Sequence, residues 1–84
     1  MTPDELKTLH PNKTEDARGT SCPGPLLAAK RSMAEIPVGG ILELLSADAG
    51  TKRDVPLWAA KMGHQVLGVL DEPGYSRIFV KRMK

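Results

Sequence analysis

The sequence contains one cysteine, Cys22, in 84 residues, and this scarcity excludes several classes of protein. A lone thiol cannot close an internal disulfide, which excludes a disulfide-stapled secreted scaffold. The two histidines, His10 and His64, are far apart in the sequence, and with one cysteine they make no obvious tetrahedral zinc set. We therefore expect no metal site and a reduced, cytoplasmic environment.

Long apolar runs, strong charge and aromatic side chains are also scarce. The acidic N-terminal residues lack the apolar core of a signal peptide, and the apolar runs fall far short of the roughly 20 residues that cross a bilayer. The net charge is only +2, and one Trp, one Tyr and one Phe offer little surface for base stacking. We expect neither membrane association nor direct binding of nucleic acid.

Residues 12–84 are long enough to form one small domain, preceded by an arm at residues 1–11. Apolar periodicity predicts, in order, a helix at 23–36, a buried strand at 41–47, a helix at 51–63 and strands at 64–71 and 76–82 around the turn 72–75. By its own pattern the polar segment 12–17 is a loop, and as a strand it would suit the edge of a sheet. Residues 81–84 are predicted to be a solvated tail.

Two helix starts stay open at this point. Thr2 to Glu5 has the pattern of a capping box, but so short a helix is marginal unless it packs, so the arm is a short helix or a disordered segment. The second long helix begins either with a box formed by Thr51 and Asp54 or with Asp54 as the cap and Pro56 in the first turn.

The order of the elements predicts the fold class. With 12–17 as the first strand, the order is strand, helix, strand, helix, strand, strand. Right-handed crossovers place successive helices on one side of a sheet when the strand order keeps its direction. We therefore predict an α/β (α+β) two-layer sandwich, in which a four-stranded mixed sheet carries both helices on one face.

Cys22 lies in the one segment with clear chemistry, Ser21-Cys22-Pro23-Gly24-Pro25-Leu26-Leu27. Proline is tolerated in the first turn of a helix, where the amide hydrogens have no intrahelical partner. Pro23 and Pro25 at the first and third helical positions would make Cys22 the N-cap. The helix dipole stabilises an anion there and favours the thiolate, which is the reactive form. Arg18 and Lys30 are candidates for additional positive charge.

The residues around Cys22 also favour one kind of chemistry. A free cysteine is commonly a buried core residue, but Ser21, Pro23 and Gly24 form no apolar stripe, which favours an accessible thiol. Acyl transfer would need a positioned base such as His64, which the sequence does not bring near. Sulfur exchange needs little beyond an accessible, partly ionised thiol, so persulfide carriage is the better match.

The run Asp16-Ala17-Arg18-Gly19, followed by Cys22-Pro23-Gly24-Pro25, resembles the signature of the TusA/SirA family of small sulfur carriers. The likeness extends over roughly residues 13–83, through Gly39-Gly40, Asp48-Ala49-Gly50-Thr51 and Met62-Gly63-His64. The resemblance implies a TusA-like sulfur-carrier domain at 12–84, with a sandwich fold like that of the C-terminal domain of translation initiation factor three.

The resemblance also implies a function and its residues. Cys22 would accept sulfane sulfur as a persulfide from a cysteine desulfurase or a rhodanese. It would pass that sulfur to a DsrE-like or similar acceptor, feeding tRNA thiolation, molybdenum-cofactor maturation or sulfur oxidation, with no cofactor beyond the persulfide. The supporting motif residues are Asp16, Arg18, Gly19, Pro23 and Pro25, and the candidate partner contacts are Lys30, Arg31, Asp48 and Arg53.

One departure from the family pattern limits the mechanism. Some members carry a second cysteine in the second helix, where this chain has Trp58-Ala59-Ala60, so any resolving thiol must come from a partner. Such a carrier acts as a co-substrate as much as an enzyme, and we expect a monomer. The alternative is a thiol-based redox or regulatory binding module that transfers no sulfur.

Overall fold

The computed structural model describes residues 2–20 and 24–84. This part of the chain contains α1 (Pro3–Lys7), β1 (Lys13–Asp16), α2 (Gly24–Glu35), β2 (Ile41–Ser46), α3 (Thr51–Met62), β3 (Gln65–Glu72) and β4 (Tyr75–Lys81). The strands form one sheet in the order β1-β2-β4-β3, in which β1 is parallel to β2 and β4 is antiparallel to both of its neighbours. The predicted fold class is confirmed. None of the helices described has the length and apolar character needed to cross a bilayer.

The first strand is an edge strand, and its position explains its polar sequence. β1 pairs with β2 alone, so only one of its edges needs partners within the sheet. Its side chains reach α2 through polar contacts: Lys13 Nζ lies 2.5 Å from Glu35, and Ser32 donates a hydrogen bond of 2.5 Å to Glu15. The edge-strand interpretation is confirmed, and hydrogen bonds and an ion pair replace the apolar packing that the central strands use.

The main core lies between one face of the sheet and the two long helices. Alternate strand residues point to this face, whereas the helices contribute residues three or four apart. Its buried members include Leu42 and Leu44 of β2, Ile78 and Val80 of β4, Ala29 and Met33 of α2, and Val55 and Ala59 of α3. The buried apolar residues of β2 and β4 therefore hold both helices on one face of the sheet, as predicted.

Helix α1 packs on the opposite face of the sheet, where the sequence alone left a choice between helix and disorder. Thr2 and Glu5 form the capping box, with the Glu5 amide 3.3 Å from Thr2 Oγ1. Leu6 is buried with Leu70 and Phe79 in a second, smaller core. A Cβ built on Gly68 would lie 2.7 Å from Leu6 Cδ1, so a larger residue at position 68 would force the Leu6 side chain to shift.

The start of α3 differs from both sequence predictions. The helix begins at Thr51 with Gly50 as its N-cap and no side-chain cap, and Pro56 lies inside it rather than in its first turn. Ser46 Oγ donates a 2.9 Å hydrogen bond to Thr51 Oγ1, and both residues are buried. The Thr51 side chain is thus tied to the end of β2.

The Leu6 contact can be tested by truncation of that side chain. Leu6→Ala should lower the free energy of unfolding by about 2 kcal/mol or more, because a buried leucine is replaced and a cavity remains. Urea unfolding followed by circular dichroism measures the change. Leu57→Ala is the control, since Leu57 is 64% exposed on α3 and its loss should cost within about 0.5 kcal/mol. Equal effects of the two substitutions would contradict the packing of α1 described above.

Candidate functional site

The described residues do not include Ser21, Cys22 and Pro23, and so do not include the predicted N-cap thiol. The site is therefore described from the residues that precede and follow this segment. Before it, the Ala17 amide donates to Leu45 O of β2 over 2.8 Å, and the carbonyl of Ala17 accepts from the Thr20 amide and hydroxyl at 3.2 and 2.9 Å. This turn leaves the carboxyl end of β1. Function in open α/β sheets is usually placed at that edge.

After the motif, the described part of α2 starts at Gly24, and Pro25 is buried. A Cβ on Gly24 would lie 3.0 Å from both Cβ and Oγ1 of Thr20, so the turn and the helix are in direct contact there. Gly19, in contrast, faces open space, and its φ is not positive. Neither crowding nor backbone conformation explains the glycine at position 19.

Asp16 and Arg18 are brought together in a clamp at the same turn. Asp16 Oδ1 accepts from the Arg18 amide at 3.1 Å and from Nε at 2.9 Å, and Oδ2 accepts from Nη2 at 2.8 Å. The guanidinium also lies 4.9 Å from the centre of the Tyr75 ring. These side-chain and main-chain hydrogen bonds from Arg18 lower the pKa of Asp16 to about 2.

The clamp changes the role assigned to Arg18. Sequence reasoning made Arg18 a source of extra positive charge for the thiolate. In the structure, its charge is matched by Asp16, and its guanidinium is held between that carboxylate and the ring of Tyr75. Arg18 therefore shapes the turn that leads toward the cysteine and joins it to the β3–β4 hairpin.

The four predicted partner contacts lie on α2 and around the start of α3. Asp48 accepts from the Gly50 amide at 2.7 Å and thereby shapes the turn before α3, where Arg53 is exposed and lies 3.2 Å from Asp54. Arg31 and Lys30 lie on α2. Arg31 is 3.9 Å from Glu15, at the limit of an ion pair.

A groove between the later turns of α2 and α3 was missed by the sequence analysis. Its volume is about 560 Å³, and it is lined by Lys30, Met33, Ala34, Trp58, Lys61, Met62, His64, Arg82 and Lys84. Arg82 and Lys84 belong to the tail predicted to be solvated, but Arg82 Nη1 donates to Ile36 O at 2.6 Å and anchors the tail. The basic composition of residues 81–84 was the signal for this groove in the sequence. The position of the folded tail shows that Arg82 and Lys84 line it.

His64 links the tail to the floor of this groove. Its Nδ1 accepts from the Met83 amide at 3.2 Å, and its ring centre lies 5.8 Å from that of Trp58. Burial, together with the positive charges of Arg82 and Lys84, lowers the pKa of His64 below its ordinary value. Neutral imidazole is therefore the form that holds the tail.

Comparison with known proteins identifies related chains. The family model described as "Sulfurtransferase TusA" matches residues 13–82. A protein of Archaeoglobus fulgidus is 42% identical over 69 residues, which cover 82% of this chain and 94% of that protein. "Sulfur carrier protein TusA" of Pseudomonas entomophila is 32% identical over 69 residues, covering 82% and 86% of the two chains. Among solved structures, the SirA-like protein from Desulfitobacterium hafniense matches with a TM-score of 0.75 and 27% identity, over 86% of this chain and 99% of that one.

The Asp16–Arg18 clamp generates a prediction about pH. In Arg18→Lys the bidentate contact is lost, so the pKa of Asp16 should rise from about 2 toward its ordinary value of 3.8. Because the folded-state value is lowered, the clamp stabilises the fold above pH 3.8, and this contribution is lost as the pH falls toward 2. Carboxyl-carbon NMR titration measures the shift.

The same titration contains its own control. Asp71 has its pKa lowered by hydrogen bonds from Lys52 and Ser76, remote from the clamp, and this pKa should stay low in the Arg18→Lys variant. An Asp16 pKa that remains near 2 in the variant would show that Arg18 is not its cause.

Proposed function

This chain belongs to the TusA sulfurtransferase family and is a sulfur carrier, and we propose that it holds sulfane sulfur as a persulfide on Cys22. The observation that carries the proposal is the coincidence of the family match with a single thiol. The match spans residues 13–82, and Cys22 is the one cysteine in the chain. Sulfur exchange between proteins proceeds through thiolates, so this chain has one position at which it can occur.

The transfer is a pair of nucleophilic displacements with no net oxidation. The Cys22 thiolate attacks the outer sulfur of a donor persulfide, the donor's S–S bond breaks, and the donor leaves as a thiolate. Cys22 then carries an S–SH group. A thiolate of the acceptor attacks that outer sulfur in turn, and the Cys22 thiolate leaves. Each step forms one S–S bond and breaks another.

The partners of this exchange are proteins with their own thiols. A cysteine desulfurase or a rhodanese is the proposed donor, and a DsrE-like protein or a similar carrier is the proposed acceptor. Because the chain has no second cysteine, release of the sulfur needs the acceptor's thiol. We place the protein in the cytoplasm, where such thiols stay reduced, and propose tRNA thiolation, molybdenum-cofactor maturation or sulfur oxidation as the pathway it feeds.

The described structure supports this proposal at the carboxyl edge of the sheet. The Asp16–Arg18 clamp and the Thr20–Gly24 contact bring the turn after β1 against the start of α2. Lys30, Arg31, Asp48 and Arg53 stay candidates for partner contacts, and Lys30 also lines the groove between α2 and α3.

Intact mass spectrometry tests the proposed carrier directly. After incubation with polysulfide, and separately with a cysteine desulfurase and cysteine, the protein should gain the mass of one sulfur atom. Reductant should remove the gain, and Cys22→Ser should abolish it, while circular dichroism of that variant stays unchanged.

The same measurement separates the alternatives. An alkylatable Cys22 that gains no sulfur from either source would overturn the carrier and favour a redox or regulatory thiol module. A thiol that neither gains sulfur nor reacts with an alkylating reagent would be a buried core residue. Loss of the fold in Cys22→Ser would support that same structural role.

A further inference from the structure

The positive charges of this chain are distributed in an uneven way. All twelve Lys and Arg residues lie in the described ranges, and six of them lie within 4.0 Å of a side-chain carboxylate oxygen: Lys13, Arg18, Arg31, Lys52, Arg53 and Arg77. Of the six described cations without such an ion pair, Lys30, Lys61, Arg82 and Lys84 line the groove between α2 and α3. Lys7 and Lys81 lie elsewhere.

No side-chain carboxylate is present among the groove's described lining residues, so no acidic side chain there offsets its positive potential. The lowered pKa of His64, caused in part by Arg82 and Lys84, is consistent with that potential. The carboxylate of Glu35, which is also on α2, is already paired with Lys13 of β1. The groove is therefore the surface where an anionic partner gains most.

The floor of the groove is apolar, which restricts what that partner can be. Met33 is buried in the core, Trp58 packs against the core from α3, and Met62 is 52% exposed. Methionine side chains adapt to irregular apolar surfaces, and tryptophan offers a large contact area. The phosphate backbone of a nucleic acid would pair with the cations but would leave this apolar floor uncovered.

The groove is also displaced along α2 from the first described residue of that helix. Lys30 and Ala34 follow Gly24 by six and ten residues, so they lie about 9 and 15 Å along the helix axis from its described start. Lys81 of β4 pairs with Ile41 at the start of β2, so His64 and the tail place the groove at the edge of the sheet opposite the carboxyl end of β1. Anchoring and sulfur exchange would thus use different surfaces.

We propose that this groove docks an acidic, amphipathic segment of a protein that gives sulfur to this carrier or takes it away. Carboxylates of the segment face Lys30, Lys61, Arg82 and Lys84, and its apolar residues cover Trp58 and Met62. The identity of the partner rests on the proposed function, whereas the binding itself does not require Cys22. Complementary charge of this kind raises the association rate and selects the partner.

Trp58 is the only tryptophan in the chain and lies in the groove, so its fluorescence reports binding. The probe is a Glu/Leu amphipathic peptide of about 14 residues, roughly 21 Å long as a helix and free of Trp and Tyr. A Gln/Leu peptide of the same pattern is its control. The acidic peptide should bind and shift Trp58 emission, and binding should weaken as salt is added.

Charge-reversal variants locate the site. Lys30→Glu with Lys61→Glu should weaken binding of the acidic peptide by about tenfold or more, whereas Lys7→Glu with Lys81→Glu should change it by less than about threefold. The two pairs change net charge equally, so they separate docking in the groove from general attraction. Equal weakening by both pairs, or equal binding of the Gln/Leu peptide, would overturn the proposal.

Two further measurements separate this proposal from nucleic-acid binding and from the proposed carrier function. Tighter binding of a single-stranded DNA oligonucleotide than of the acidic peptide would show that the groove takes nucleic acid, and would overturn the protein partner. Cys22→Ser should bind the peptide like the parent chain, and Lys61→Glu, which changes only a groove residue, should still load sulfur from polysulfide. Failure of polysulfide loading in the parent chain, with peptide binding retained, would overturn the carrier function and leave the docking groove in place.

Discussion

Burial of the central strand β2 is the constraint on which the rest of the structure depends. Leu42 and Leu44 are fully buried against α2 and α3, while the same strand pairs with β1 on one side and β4 on the other. Because β1 and β2 are parallel, the chain must cross over from one to the next, and α2 is that crossover. The segment that contains Cys22 therefore connects the carboxyl edge of the sheet to the start of a helix packed on the core.

Ion pairing then divides the surface into regions of different character. At the carboxyl edge, Arg18 is matched by Asp16 and lies against Tyr75, so its charge acts within the turn. Between the later turns of α2 and α3, cations such as Lys30 and Lys61 have no side-chain carboxylate of the described residues within ion-pair distance. A carrier that must recognise other proteins benefits from this separation. A charge that supports the conformation of a turn is paired within the chain, whereas a charge on a docking surface must be available to another protein.

Prediction from the sequence succeeded where one local signal dominated. Apolar periodicity located both long helices and the inner strands to within a residue or two at most ends. It failed at the start of α3, where Gly50 is the N-cap without a side-chain cap and the Thr51 hydroxyl accepts a hydrogen bond from Ser46 of β2. It also stayed undecided about α1, whose five residues need the sheet to hold Leu6.

The sequence by itself determined the fold class, the family and the one residue capable of sulfur exchange, because periodicity, a proline-flanked cysteine and the absence of any second thiol are all local or compositional properties. Only the tertiary structure decided which charges compensate each other. Arg18 and Asp16 are two residues apart, yet the bidentate contact depends on the turn; Lys30 and Lys84 are distant in sequence, yet they line one groove. Electrostatic interaction depends on distance in space, and folding sets that distance.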